Sequence, residues 1–344
     1  MDERLKQKFA RLHGSVAPYA ALSFEPPVFH IQLLGDAIDR LVSQYAMLFS
    51  ALEGRPGWCL LCYGFDLTPW LLGEVRKMES DLLVRFPNLE VIHLGNTRAH
   101  CELLGSAGLR AIHCNHNCFV DEAIYRPDAS VEKRFDAVYD ARLSEFKRHQ
   151  LAAKVASLAL LYYVTQEADP AYGVEVRKRL ASAHFFNHDA AGNYRLLDAS
   201  EVAKALNACR VGLCLSAQEG AMYASAQYLL SGLPVVTTPS EGGRDEFFDP
   251  AFVRTVAPEP DAVANAVQEL VATGLEPQPI RDATLARMRP HRERFIDLVQ
   301  ELYDRSGVGR SFRQEWDDLF FNRMLGPRSH LETITRMHRA WAGR

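Results

Sequence analysis

The chain has 344 residues, of which 48% are hydrophobic and 24% charged, and its formal net charge is −4. That length exceeds one ordinary domain of ~100–200 residues, so two domains are expected. The mildly negative balance gives no field that would draw the chain to nucleic acid, and the sequence holds no apolar run of ~18 residues of the kind that spans a bilayer. The start, Met1 to Phe9, is charged and lacks the apolar core of a secretory signal, which points to the cytoplasm. The seven cysteines are odd in number and sit mostly in apolar runs such as Trp58–Tyr63 and Val211–Leu215. Buried, reduced thiols are expected rather than a disulfide framework.

Short apolar runs alternate with stretches of helical periodicity along the first third of the chain. Val28–Leu33 reads as a strand and Asp36–Leu52 as a helix. Trp58–Tyr63 is a second strand, followed by a helix opening near Pro69 and ending before Pro87. Leu89–Leu94, a short helix Thr97–Leu104 and the run Arg110–Cys114 complete the series. Strand and helix in alternation are the signature of βαβ units and a parallel sheet. Residues 121–133, with Pro127, Asp128 and several charges, break the pattern and read as a junction, which sets the expected domains at 1–126 and 127–310.

A second series begins at Arg134–Tyr139 and continues through Leu158–Val164, His184–Asn187, Val211–Leu215 and Leu233–Thr237. Helices are expected between these runs at His149–Val155, Gly173–Ala183, Glu201–Ala208, Tyr223–Ser231 and Asp261–Thr273. Ser200 is placed to cap the third of these, and Gly232 stands where a C-terminal glycine would end the fourth. Two such series predict two doubly wound α/β domains, with ligands at the carboxyl ends of their strands.

Three blocks carry the chemistry. The first is Asn117-Cys-Phe-Val-Asp121, followed by Tyr125 and Pro127. The second is Tyr139-Asp-Ala-Arg142-Leu-Ser-Glu-Phe-Lys147-Arg148, with Arg142 and Lys147 five apart just beyond a strand. Cations converging at a strand-to-helix turn suit a diphosphate, because the turn adds backbone N–H groups and a positive helix end. The third runs from Glu219-Gly-Ala-Met-Tyr-Ala-Ser-Ala-Gln227 through Gly232-Leu-Pro-Val-Val to Glu241-Gly242-Gly243-Arg-Asp-Glu246.

Together these blocks resemble the nucleotide-sugar glycosyltransferases of the GT-B fold, particularly the retaining group 1 (GT4-like) members. The likeness covers Asn117–Glu246 with motifs and extends by pattern to about Thr273. It implies two Rossmann-like domains facing across a cleft, an acceptor-side N-terminal domain, a donor domain over 127–310, and helices in 311–344 returning to the first domain. It further implies that Arg142 and Lys147 bind the donor diphosphate, that Glu219 holds hydroxyls of the donor sugar, and that the N–H groups of Gly220, Ala221, Met222 and Tyr223 face sugar or phosphate. Gln227 stands where the family usually has a second Glu that grips the ribose, and Gly242 and Gly243 supply the following loop. The activity implied is transfer of a sugar from a nucleoside-diphosphate sugar to a glycan or lipid-linked acceptor, with retention and without metal or cofactor, commonly in polysaccharide assembly. A sugar-nucleotide epimerase of the same fold is an alternative reading. A silent binding or scaffold protein is another, and Gln227 is the residue that keeps it open.

Other features invite separate readings. His113-Cys-Asn-His116-Asn-Cys118 is dense in potential zinc ligands, but its residues fall along a predicted strand, where successive side chains point to opposite faces, so no metal site is expected. His116, just past the strand end, is taken as a candidate contact to acceptor or donor. Two apolar stripes, Leu5/Phe9/Leu12 and Leu331/Ile334/Met337/Trp341, lie beside basic residues. They suit either core packing or peripheral contact with the inner face of a membrane.

Overall fold

The computed structural model describes residues 16–34, 38–164, 170–319 and 327–342. The chain forms two compact units. The first is drawn from residues before Val120 and from Pro290 onward; the second is Val120–Arg289. Both divisions fall earlier in the chain than the breaks expected after Arg126 and Arg310. The second division lies inside one helix, Pro277–Arg305, which carries Pro290 in its interior. Continuous helical periodicity hides such a division from a reading of the sequence.

The first unit is built on a six-stranded sheet. Its strands β1 (Val16–Phe24), β2 (Pro27–Leu33), β3 (Gly57–Tyr63), β4 (Leu89–Gly95) and β5 (Ala111–His113) lie in that order. From β2 to β5 the strands are parallel, and β1 is antiparallel to β2. Every residue of β3 is buried, as expected of a central strand covered on both faces. The helix Pro69–Arg85 begins with proline in its first turn and buries Leu71, Val75, Met78 and Leu82, one stripe at helical spacing. The helix expected over 36–52 is instead two short ones among the described residues, Leu41–Gln44 and Ala46–Ser50, which meet at Tyr45. The Tyr45 ring is buried against Tyr19 and Phe49, so packing rather than periodicity sets the break.

The second unit has a fully parallel sheet. Its strands are β6 (Phe135–Asp140), β7 (Leu158–Leu161), β8 (His184–Phe185), β9 (Cys209–Cys214), β11 (Val235–Thr237) and β13 (Val253–Thr255). They lie in the order β13-β11-β9-β6-β7-β8. Counted along the unit this is the 3-2-1-4-5-6 order of dinucleotide-binding sheets, in which the chain reverses its direction of travel between β6 and β9. A separate two-residue ladder joins β10 (Gln218–Glu219) to β12 (Glu241–Gly242). The helix Ala199–Asn207 is capped by Asp198 rather than by Ser200. Asp198 accepts from Glu201 N while Glu201 reaches back to Asp198 N, a reciprocal pairing that Ser200 is placed too late to make. Gly232 does follow the helix Tyr223–Leu230, with φ of 76°.

The last strand, β14 (Pro327–Ser329), pairs antiparallel with β1, and the C-terminal segment belongs to the first unit. The helix His330–Ala342 follows it. Met337 lies in the first unit's core, Ile334 and Trp341 pack against that core, and Trp341 Nε1 donates to Phe24 O at 2.9 Å. Core packing thus uses three of the four residues of the C-terminal stripe, and Leu331 stays exposed. The stripe Leu5/Phe9/Leu12 lies outside the described residues. Among the described residues no helix is long and apolar enough to cross a membrane. All seven cysteines are free thiols, and all but Cys101 are buried.

One buried side chain ties the sheet exits of the second unit together. Arg244, 1% exposed, donates from Nη1 to Cys214 O (3.1 Å) and Ser216 O (2.7 Å). From Nη2 it donates to Thr237 Oγ1 (2.6 Å) and Thr238 O (2.7 Å), and its Nε pairs with Asp245 at 2.6 Å. Replacing Arg244 with Met keeps much of the volume but strips these acceptors of their donor, a loss of about 2–4 kcal/mol. The melting temperature of the second unit should fall by roughly 5–15 °C. The transition should be followed by circular dichroism, because all four tryptophans belong to the first unit.

Candidate functional site

The reversal between β6 and β9 leaves their carboxyl ends side by side, with no crossover helix between the two exits. In open parallel sheets this is where ligands bind. The turn leaving β6 carries Arg142 and Lys147, and the turn leaving β9 carries Glu219. The structure brings the last two into direct contact: Lys147 Nζ and Glu219 Oε1 form an ion pair, each side chain 10% exposed. Arg142 is gathered in through Phe146, whose ring stands 5.4 Å from the Arg142 guanidinium carbon and 4.9 Å from Lys147 Nζ.

The segment after β6 is not the α-helix expected over His149–Val155. It is two tight 3-10 turns, Glu145–Lys147 and His149–Ala152, hinged at Arg148. Arg148 has φ of 53°, a left-handed conformation that a side chain bearing Cβ adopts only when its surroundings enforce it. Its Nε donates to Leu215 O at 2.6 Å, and its Nη2 donates to Thr238 Oγ1 at 2.7 Å. The Tyr139 hydroxyl meanwhile donates to Lys147 O. The backbone on both sides of the lysine is therefore anchored to the sheet exits, and Lys147 is held as a short, directed cation.

Glu219 is positioned from the other side. Its strand β10 is zipped to β12, and Gly243 N donates to Gly220 O at 2.8 Å and to Glu219 O at 3.2 Å. Gly242 adopts φ of 93°, which only glycine takes readily, so the turn after β12 depends on it. Gly220, Ala221 and Met222 lead into the helix Tyr223–Leu230, whose N-cap Met222 supplies no side-chain cap. The N-terminal amides of that helix begin three residues beyond Glu219 and present partial positive charge there. Gln227 lies within the same helix, 6% exposed.

Asp140, the last residue of β6, lies within electrostatic reach of Lys147. Its backbone N donates to the Tyr228 hydroxyl at 2.6 Å, and Tyr228 reaches it across Gly212, where any Cβ would overlap the Tyr228 ring. Burial raises the Asp140 carboxyl to about 6, against the pull of the nearby Lys147 charge. His149 is pushed down to about 4 by burial, with the Lys147 charge adding to the effect.

Ten of the eleven residues singled out in the sequence lie in the second unit; His116 is the exception. It belongs to the first unit, in the single turn His116–Phe119, and is 1% exposed. Its amide donates to Asn96 Oδ1, and its charge adds to the burial that lowers His30 to about 3. Sequence reasoning missed Asp140, Arg148, Tyr228 and Arg244 as parts of this arrangement. Arg148 and Arg244 stood within the quoted motifs, but only their buried hydrogen bonds distinguish them from solvated arginines.

No protein-family model matches the chain, and no curated protein matches it by sequence. Solved structures do match it. HepE from Anabaena in complex with UDP is 17% identical, with a TM-score of 0.53 over 77% of this chain and 82% of that one. The sucrose-phosphate synthase of Thermosynechococcus elongatus is 15% identical, with a TM-score of 0.55 over 80% of this chain and 74% of that one. A glycosyltransferase from Rickettsia africae is 12% identical, with a TM-score of 0.51 over 82% and 77%. The chain has the fold these proteins share, the GT-B arrangement of two Rossmann-like domains.

Proposed function

We propose that this protein is a glycosyltransferase whose second unit binds a nucleoside-diphosphate sugar and whose first unit serves the acceptor, a glycan or a lipid-linked glycan. The observation that carries this reading is the meeting of Lys147 with Glu219, 72 residues apart in sequence, at the switch point of the second sheet. A cation suited to phosphate and a carboxylate suited to sugar hydroxyls stand within one bond of each other. Sugar and diphosphate are neighbours in a nucleotide-sugar in the same way. The shared fold supports the reading, as does the fact that HepE is known in complex with UDP-glucose.

In this proposal the arriving diphosphate takes over the Lys147 ammonium and the Arg142 guanidinium. Glu219, released from the ion pair, accepts hydrogen bonds from the sugar. When the bond from the anomeric carbon to the diphosphate oxygen breaks, negative charge grows on the leaving oxygen. Fixed cations and the N–H groups of Gly220–Tyr223 then stabilise that charge without reorganising. Retention of the anomeric configuration, and a reaction needing neither metal nor cofactor, complete the proposal. Gln227, a neutral amide at the position where the resemblance implies a second Glu, would meet the ribose as both donor and acceptor.

The direct test is a thermal-shift panel of UDP-, GDP-, ADP- and CMP-sugars, followed by product analysis with the stabilising donor. Stabilisation by none of them would remove the proposal, and isomerised donor in the absence of acceptor would replace it with an epimerase. The Arg142→Ala/Lys147→Ala double variant should lose on the order of 2–4 kcal/mol of transition-state stabilisation, roughly 30- to 1000-fold in kcat. Wild-type turnover in that variant would refute the assignment of the cations.

Asp140 gives a pH signature. Its carboxyl is already raised to about 6 by burial, and a diphosphate bound beside it raises it further, so binding takes up a proton. Affinity for UDP should therefore weaken as pH rises through about 6 to 7 by a few-fold more in the wild type than in Asp140→Asn. The phosphate's own titration is common to both proteins, so their difference in calorimetric titrations isolates Asp140.

A further inference from the structure

The carboxyl ends of β7 and β8, on the side of β6 away from β9, carry a group of rings that the motifs do not include. Tyr162 directly follows β7, and His188 follows β8 by a short turn. The Tyr162 hydroxyl meets His188 Nε2 at 2.8 Å, and the Arg177 guanidinium, from the helix Pro170–Arg179, lies close enough to act on it electrostatically. Tyr194 lies against Tyr162 with ring centroids 5.2 Å apart and planes inclined by 37°. Its own hydroxyl accepts from Val164 N at 3.3 Å.

This is a built feature rather than a loose loop. His188 and Tyr194 are bridged as an antiparallel pair, and the turn between them is closed by Asp189, which accepts from Ala191 N and Asn193 N. Asn187, 2% exposed, accepts from Tyr162 N at 2.7 Å and donates to Arg195 O, which fastens the turn to the exit of β7. The fastening orders a ring that remains open: Tyr194 is 38% exposed, although it packs on a tyrosine that is 6% exposed. A rigid aromatic face, backed by a second ring and flanked by a guanidinium, suits a flat heteroaromatic group.

Its position selects which one. β7 is hydrogen-bonded to β6 through Asp140 and Leu161, and Ala141 N donates to Leu161 O, so Tyr162 begins one residue past the ladder that ends at the turn bearing Arg142 and Lys147. β8 is one strand farther, about 10 Å from β6 at the usual strand spacing. A ribose and one phosphate cover a gap of that order. We propose that Tyr194, backed by Tyr162, is the stacking platform for the base of a nucleoside diphosphate whose phosphates lie at Arg142 and Lys147, and that it contributes to nucleotide affinity without touching the reacting bond. The inference rests on the diphosphate site proposed above.

The test compares UDP, GDP, ADP and inorganic pyrophosphate by calorimetry on the full chain, as wild type, Tyr194→Ala, Tyr194→Leu and Tyr194→Phe. Loss of the ring in Tyr194→Ala and Tyr194→Leu should weaken the nucleoside diphosphate that binds wild type by about 5- to 150-fold, the range for removal of one base-stacking partner. Pyrophosphate affinity should not change, and Tyr194→Phe should keep wild-type affinity. Equal affinity for the nucleotide in Tyr194→Ala and wild type would overturn the platform while leaving the diphosphate site standing, as would a parallel loss of pyrophosphate. Failure of wild type to bind both nucleotide and pyrophosphate would instead overturn the underlying diphosphate reading.

Discussion

The second unit depends on the adjacency of β6 and β9. A parallel sheet grows outward from a first strand, and when the chain returns to that strand's other edge, two neighbouring strands release their turns on opposite sides of a gap. Hydrogen bonding within the sheet fixes the distance between the two exits, whatever the turns contain. Arg142 and Lys147 leave from one exit and Glu219 from the other, so the pairing of Lys147 with Glu219 is a consequence of strand order. A sheet of the same strands in a different order would carry the same motif residues and separate them.

Holding charged groups at such a place is costly, and the structure offsets the cost with fixed partners. Lys147 and Glu219 are each largely withdrawn from water, and each would be destabilising there alone. Arg244 is deeper still, yet all three of its guanidinium nitrogens are engaged by the exits of β9 and β11 or by Asp245. Arg148 adds a second clamp from the opposite exit, at the expense of a left-handed backbone. These arginines do for the turns what the ladder does for the strands: they stop the exits from moving relative to one another. A cation and a carboxylate placed on such a frame can exchange partners without a large rearrangement, which is what binding a charged ligand at an existing ion pair requires.

Both units were partly legible in the sequence. Regular amphipathic spacing, as in Leu71/Val75/Met78/Leu82, and fully apolar runs, as in Gly57–Tyr63, report burial on one face or on both, so most of the strands and long helices could be read directly. The strands β1, β13 and β14 could not. β1 carries Pro18 and small residues, β13 and β14 have three residues each, and a strand of that kind is stabilised by its neighbour more than by its own pattern. The segment after β6 has helical composition but forms 3-10 turns, because the hydrogen bonds of Arg148 and Tyr139 to distant atoms outweigh local propensity.

Local chemistry in the sequence determined the alternation of strands and helices and the α/β class, and it singled out Arg142, Lys147 and Glu219 as candidates, since residue type and short-range spacing are written in the chain itself. Tertiary structure alone decided that Lys147 meets Glu219, that Arg244 and Arg148 are clamps rather than solvated cations, and that Tyr194 lies on Tyr162. Each of these depends on contacts between segments separated by tens of residues, and no local pattern records which strand edges will lie together. That choice is made by the burial of whole sheets and helices, an energy to which each residue contributes little and the sum of them contributes the fold.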